Sequence, residues 1–283
     1  MKKYGLLILV TCFLPFNSAV LQASNLAGNA IVFDGLNDFV RIPDAPQLGG
    51  MSGLTIEAWF TASFIFDKED WGNVSSDRSY GLSGSTTGAS LALFTGSTGW
   101  THLYGDFQSP ASVGQWTHIA ATYDSIAGVA SLYYNGNLFL TTTTDAGGYP
   151  ISGIVRDSSE DLILGAVLAN AYLNTYGPSF SFGAMDEVRI WNYARSATQI
   201  AQNFNRLVNP TQDGLVGYWN FDEALNSQQA VDLSSYHNNG ILGSSLQLNV
   251  ADPVRISSTA PIIPEPCTLA LLGIGGLLLR RKN

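Results

Sequence analysis

Residues 129–142 read VASLYYNGNLFLTT. Leu132-Tyr133-Tyr134 and Leu138-Phe139-Leu140 are strand formers, and Asn135-Gly136 between them takes the positive φ angles of a two-residue type I′ turn. The stretch predicts an antiparallel hairpin with strands at 129–134 and 138–142. The same grammar recurs outward from it, as short β-rich runs punctuated by Gly, Asn, Asp and Ser. Runs at 54–61, 90–94, 117–123, 162–164, 188–191 and 217–221 all fit strands of a sandwich. Runs at 30–33 and 39–42 flank Asp34-Gly35-Leu36-Asn37 and predict a second hairpin-like pair. One short helix is predicted where Ser196 and Gln199 form a capping-box pattern and Ile200, Phe204 and Leu207 then share a face. The expected fold class is all-β, an antiparallel two-sheet jelly-roll sandwich. The Ser-, Thr- and Gly-dense stretch 75–99 is expected to form mobile loops or an edge strand.

Composition bounds the function. The 283 residues are 46% hydrophobic and only 12% charged, with a formal net charge of −9. No Lys/Arg cluster lies outside the two ends, so the electrostatic footprint of nucleic-acid binding is missing. Three scattered His and two Cys exclude zinc sites of the finger or H-E-x-x-H kind. No linker or composition break divides residues 24–260, which predicts one domain.

Both ends read as addresses. Residues 1–23 open with Lys2 and Lys3, run apolar from Gly5 to Phe16 and end at Ala23, the pattern of a secretory signal peptide cut after that residue. At the other end Pro264-Glu265-Pro266 precedes an apolar helix expected over 268–279, and Arg280-Arg281-Lys282 follows. The triplet, the apolar segment and the basic tail together resemble the PEP-CTERM sorting signal of Gram-negative bacteria. That resemblance implies processing by an exosortase near Pro264, Glu265 and Pro266, transient membrane association of residues 261–283, and delivery to the cell surface or an extracellular polysaccharide matrix.

Four ordered motifs carry a second resemblance: Val32-Phe33-Asp34-Gly35-Leu36-Asn37-Asp38-Phe39-Val40, Leu54-Thr55-Ile56-Glu57-Ala58-Trp59-Phe60, the run from Gln115 to Asp124, and Met185-Asp186-Glu187-Val188-Arg189-Ile190-Trp191-Asn192. They resemble the LamG-like jelly roll of the concanavalin A-like lectin/glucanase superfamily. Trp59, Trp116, Trp191 and Trp219 sit within strand patterns and are expected to fill the space between sheets. Glu187 and Arg189 alternate with apolar residues and are expected to pair at the surface. The resemblance implies one structural Ca²⁺ held by Asp186 with oxygens of Asp34 and Gly35.

Three functional classes remain. A glycan-binding or adhesion module needs aromatic platforms, for which Trp71, Trp100 and Tyr104 are the candidates, with Tyr172 and Tyr176 behind them. A structural matrix protein would bind protein partners instead. A diverged glycoside hydrolase needs paired carboxylates, but the signature E-x-D-x-E is absent. The tight acidic clusters Asp67-Lys68-Glu69-Asp70 and Glu160-Asp161 lie among polar residues, which predicts solvated loops. The favoured expectation is therefore a non-catalytic module that binds extracellular polysaccharide or a surface glycan.

Overall fold

The computed structural model describes residues 28–69, 77–96, 99–145, 147–168, 178–249 and 252–263, the side chain of Trp100 excepted. The signal peptide with Ala23, the segment with Trp71, the stretch with Tyr172 and Tyr176, and the tail with Pro264, Glu265 and Pro266 lie outside the described residues.

Two antiparallel sheets face each other. Sheet A runs β10 (Asn137–Thr142), β9 (Val129–Tyr134), β8 (Thr117–Asp124), β3 (Gly53–Phe60), β14 (Phe182–Trp191), β1 (Asn29–Asp34) and β18 (Val254–Ser257), with β15 (Leu215–Trp219) also against β14. Sheet B runs β16 (Gln229–Ala230), β17 (Gly240–Leu242), β2 (Val40–Ile42), β11 (Leu162–Leu164), β4 (Ser63–Glu69), β5 (Arg78–Ser85), β6 (Gly88–Thr95) and β7 (Gly99–Asp106). A small pair, β12 (Ala166–Val167) and β13 (Ser179–Phe180), lies beside them. This is the sandwich that the strand pattern predicts. Its main core interleaves inward residues of both sheets, among them Ile56, Ala58 and Phe60 of β3 and Phe64 and Phe66 of β4.

The predicted hairpin over 129–142 forms. Asn135 and Gly136 take φ of 47° and 79°, and Asn137 lies opposite Tyr134. The helix also forms, as α1 (Ala197–Asn203), with both halves of its capping box made: Gln199 N donates to Ser196 Oγ, and Ser196 N donates to Gln199 Oε1.

Other expectations need correction. Residues 30–33 and 39–42 do not pair with each other: β1 joins sheet A and β2 joins sheet B. Side chains serve the donors of the corner between them. Asp38 Oδ2 accepts from Asp34 N at 2.8 Å and Asp34 Oδ1 accepts from Leu36 N at 2.8 Å, so no cross-strand ladder is required. The stretch 75–99 supplies two inner strands of sheet B, because Tyr80, Leu82, Leu91 and Leu93 face the core while small residues alternate with them. Of the four indoles, Trp219 joins the main core. Trp59 and Trp191 are buried elsewhere, on the outer side of sheet A, where Trp59 Nε1 donates to Phe204 O at 3.0 Å. Trp116 packs beside Trp59 only partly buried.

Candidate functional site

The face of sheet B that points away from the core carries the chemistry. Phe64 and Phe66 point inward on β4, so Ile65 and Asp67 point outward. By the same alternation Gly81 and Ser83 on β5, Ser90 and Ala92 on β6, and His102 and Tyr104 on β7 share that outer face. A pocket of about 150 Å³ opens there. Asp67, Glu69, Ser83, Ser90 and His102 supply its polar wall, and Ile65, Ala92 and Val167 supply apolar surface.

Backbone detail builds the pocket. The β4/β5 register shifts between Lys68 and Glu69, so that Glu69 lies opposite Arg78. The Glu69 carboxylate folds over Gly81, where a Cβ would sit 2.9 Å from Glu69 Oε1. Glycine at 81 thus leaves the room that the carboxylate takes. Glu69 is 6% exposed, and both its oxygens lack a hydrogen-bond partner. Burial, reinforced by the charge of Asp67 and only partly opposed by Arg78, pushes its pKa up to about 8. His102 Nε2 is hydrogen-bonded to Ser90 Oγ, and burial lowers its pKa. The expectation that Asp67 and Glu69 lie in solvated loops is therefore wrong: β4 carries both, buried, on the pocket wall.

Tyr104 stands opposite Ser90 in the β6/β7 ladder, exposed, with its hydroxyl donating to Asp106. It is the one aromatic candidate whose side chain is described, and it stands on the same face as the pocket without lining it. Trp100 is opposite Phe94 on the same strand, but its side chain lies outside the described residues, as does all of Trp71.

The calcium set is not brought together. Asp34 lies opposite Phe182 and Ile31 opposite Met185, so Asp34 and Asp186 are separated by four residue steps of the β1/β14 pair, roughly 13 Å. Asp186 is buried, with Oδ1 accepting from Glu187 N at 2.7 Å and Oδ2 from Ser258 Oγ at 2.6 Å. The Asp34 carboxylate shapes the corner, and a Cβ at Gly35 would lie 3.4 Å from the Phe182 side chain. These residues do not fit one ion, and among the described residues no group of three His, Cys, Asp or Glu is arranged to hold a metal.

A second charged cluster lies on the outer side of sheet A. Glu57 Oε1 accepts from Trp191 Nε1 at 2.9 Å and from Arg195 Nη1 at 2.5 Å, with His118 Nε2 at 3.6 Å from Oε2. Arg189 pairs with Glu187, which also accepts from the Tyr218 hydroxyl at 2.8 Å. Burial alone would raise Glu57, but Arg195, His118 and Arg189 outweigh it and hold the carboxyl well below the usual range. These seven residues are at most 3% exposed, so the Glu187–Arg189 pair is interior rather than at the surface. This network is buried and ties β3 and β14 to Arg195 and, through it, to Gln199 of α1.

Comparisons with known proteins fit this architecture. A candidate carbohydrate-binding protein from Bacteroides ovatus superposes with a TM-score of 0.57 at 22% identity, covering 83% of this chain and 61% of that one. This chain thus spans about three fifths of that structure's length. A pentraxin from Limulus polyphemus (TM-score 0.45, 18% identity, 62% of this chain and 81% of that one) and the sialyllactose-bound CBM40 of a Ruminococcus gnavus sialidase (0.41, 16%, 60% and 95%) are more distant. No curated protein matches. The Laminin_G_3 family model matches residues 33–201, more than half of the sequence, and so the chain belongs to the concanavalin A-like lectin/glucanases superfamily.

Proposed function

We propose that this chain is an exported, non-catalytic carbohydrate-binding module and that the sugar sits in the sheet B pocket. One observation carries the reading: a cleft on the outer sheet face with the hydroxyls of Ser83 and Ser90, the carboxylates of Asp67 and Glu69, and the exposed Tyr104 ring on the same face. Sugar CH groups stack on such a ring while the polar wall receives the hydroxyls. Membership of a superfamily of lectins and glucanases, and the fold shared with the candidate carbohydrate-binding protein of Bacteroides ovatus, agree with it in kind. The sequences of the two ends support export, exosortase sorting and residence at the cell surface or in an extracellular polysaccharide matrix.

The test is retention of the full chain on the producing organism's extracellular polysaccharide. Tyr104→Ala and Gly81→Ala are each expected to lower the association constant roughly tenfold, the first by removing the platform and the second by displacing the Glu69 carboxylate. Unchanged retention in both removes the pocket as the site. Retention that survives saturating soluble sugar instead favours a structural matrix protein with protein partners.

A second reading has one observation in its favour. Asp67 and Glu69 stand two residues apart on one strand and line one pocket; a retaining hydrolase sets its nucleophile and its acid as two carboxyls about 5–5.5 Å apart. It predicts release of reducing ends from the same polysaccharide, abolished by Asp67→Asn; retention without release leaves the binding reading in place.

A further inference from the structure

The outer face of sheet A is covered only in part. On one side α1 and residues 258–263 lie across it: Ala260 and Ile262 pack on Trp59 beside Phe204 and Leu207, and Ile263 N donates to Asn205 O at 2.7 Å. Beyond that strap the face is bare. A groove of about 360 Å³ opens there over Val32 of β1 and Ala184 of β14, walled by Trp116, Phe182 and Ile256. Phe182, Val113 and Ile256 along it are 55%, 68% and 44% exposed, and the exposed Val254, opposite Val32, widens the patch. Apolar surface gathered in this way marks a docking site. One end of the groove is acidic. Asp34 follows Val32 on the same face of β1 and stands opposite Phe182, and Asp38 Oδ2 accepts from Asp34 N at 2.8 Å. Asp252 lies two residues before Val254. Burial, with the charges of Asp34 and Asp252 added and the Asp34 N–H opposing, raises the Asp38 pKa. Among the described residues no lysine or arginine forms an ion pair with these three aspartates.

We propose that this groove is the docking surface for the chain's own C-terminal segment, residues 268–282. The place where the described chain ends argues for that occupant. It ends at Ile263 on this same face, and Thr259 belongs to the groove wall, its Oγ1 accepting from Trp116 Nε1 at 2.9 Å. The steps from Ile263 to Thr268 span up to roughly 17 Å, and those from Ile263 back to Thr259 at most roughly 14 Å, so position 268 regains the groove. The order of the chemistry matches as well. Leu269, Leu271, Leu272, Ile274 and Leu277 are apolar, and Arg280, Arg281 and Lys282 follow, just as the apolar groove leads to an acidic end. Residues 268–279 coiled as a helix reach roughly 18 Å, well short of the roughly 30 Å hydrocarbon core of a membrane, so a surface on the domain suits them. The short tether holds the segment at an effective concentration of roughly millimolar, and a modest contact is then enough. A second copy fits worse, because each chain carries a net charge of −9 and repels its like. Docking shields the segment from water, and its release is the step that lets it reach a membrane. The inference concerns this face alone and stands apart from the sheet B pocket.

The test uses the full chain in detergent-free buffer, with a photoreactive benzophenone amino acid in place of Val113 and a mixture of ordinary and isotope-labelled chains. Illumination is expected to join position 113 to a peptide within 268–282 of the same chain, read by mass spectrometry of the digest. Phe182→Asp, at an exposed position outside the core, is expected to cut that yield roughly tenfold. The same variant is expected to bind vesicles of phosphatidylethanolamine and phosphatidylglycerol severalfold better, because the freed segment reaches the bilayer. Arg280→Ser combined with Arg281→Ser probes the acidic end separately and is expected to lower the yield about threefold. Cross-links between differently labelled chains assign the groove to a second copy and overturn the proposal. Cross-links confined to residues 28–263, or a yield unchanged by Phe182→Asp, overturn it too.

Discussion

Glu69 holds an unusual position for a glutamate, pressed against Gly81 with neither oxygen hydrogen-bonded. Its folded pKa of about 8 lies above the ordinary glutamate value of 4.5, so the folded state keeps a proton that the unfolded chain has lost. Stability is therefore highest below the unfolded pKa and falls as pH rises toward the folded value. Glu69→Gln removes that slope. Urea denaturation is expected to show the variant more stable than the wild type by roughly 2 kcal/mol or more at pH 8, with the gap closing toward pH 4.5. A wild-type curve flat over this range would contradict the burial argument. The residue is open to notice in the sequence, since Phe64-Ile65-Phe66-Asp67-Lys68-Glu69 alternates with its phenylalanines on one face. What hides it is context. Lys68 and Asp70 beside it look like solvent-facing residues, and only the fold shows Lys68 fully buried on Asp44 Oδ1 at 2.6 Å and on the Ser158 carbonyl at 2.9 Å.

Local chemistry is easiest to read where an element closes on itself. The β9/β10 hairpin and α1 both form as their turn and cap residues require, because each depends on neighbours within a few positions. The same two elements also meet: a Cβ at Gly136 would lie 2.7 Å from the Phe204 ring, next to the C-terminal end of α1. Gly136→Ala combines that clash with φ of 79° and is expected to destabilise the domain by about 1–3 kcal/mol in chemical denaturation. Ser196→Ala, which removes one capping bond, is expected to cost about 1 kcal/mol. Elements whose partners are distant in sequence are harder to read. β5 looks like a loop or an edge strand in the sequence because Gly81, Ser83 and Gly84 thin its apolar pattern, while its partners are β4 and β6; the run at 90–94 within β6 does read as a strand. β1 and β2 look like a hairpin because proximity in sequence does not say which sheet a strand joins.

Across the whole molecule, the two layers are held by different means. Apolar packing fills the space between the sheets, whereas the outer side of sheet A is fastened under α1 by the network around Glu57. Removing one partner of such a buried set strands the others. Glu57→Gln is expected to cost about 3–5 kcal/mol, read as a lower urea midpoint at pH 7. Because the Glu57 pKa is depressed, its contribution is present above the unfolded value and is lost as pH falls toward the folded one. The first and last of the described strands also pair: β1 lies between β14 and β18, with Ile31 opposite both Met185 and Arg255. A chain made from its N-terminus waits for nearly the whole domain before that first strand has both neighbours, so folding is paced by long-range closure and is slow for its size. Shortening the protein to end before Val254 would leave the outer edge of β1 with unpaired backbone groups, open to strands of other copies, and the expected product is aggregate rather than a trimmed monomer.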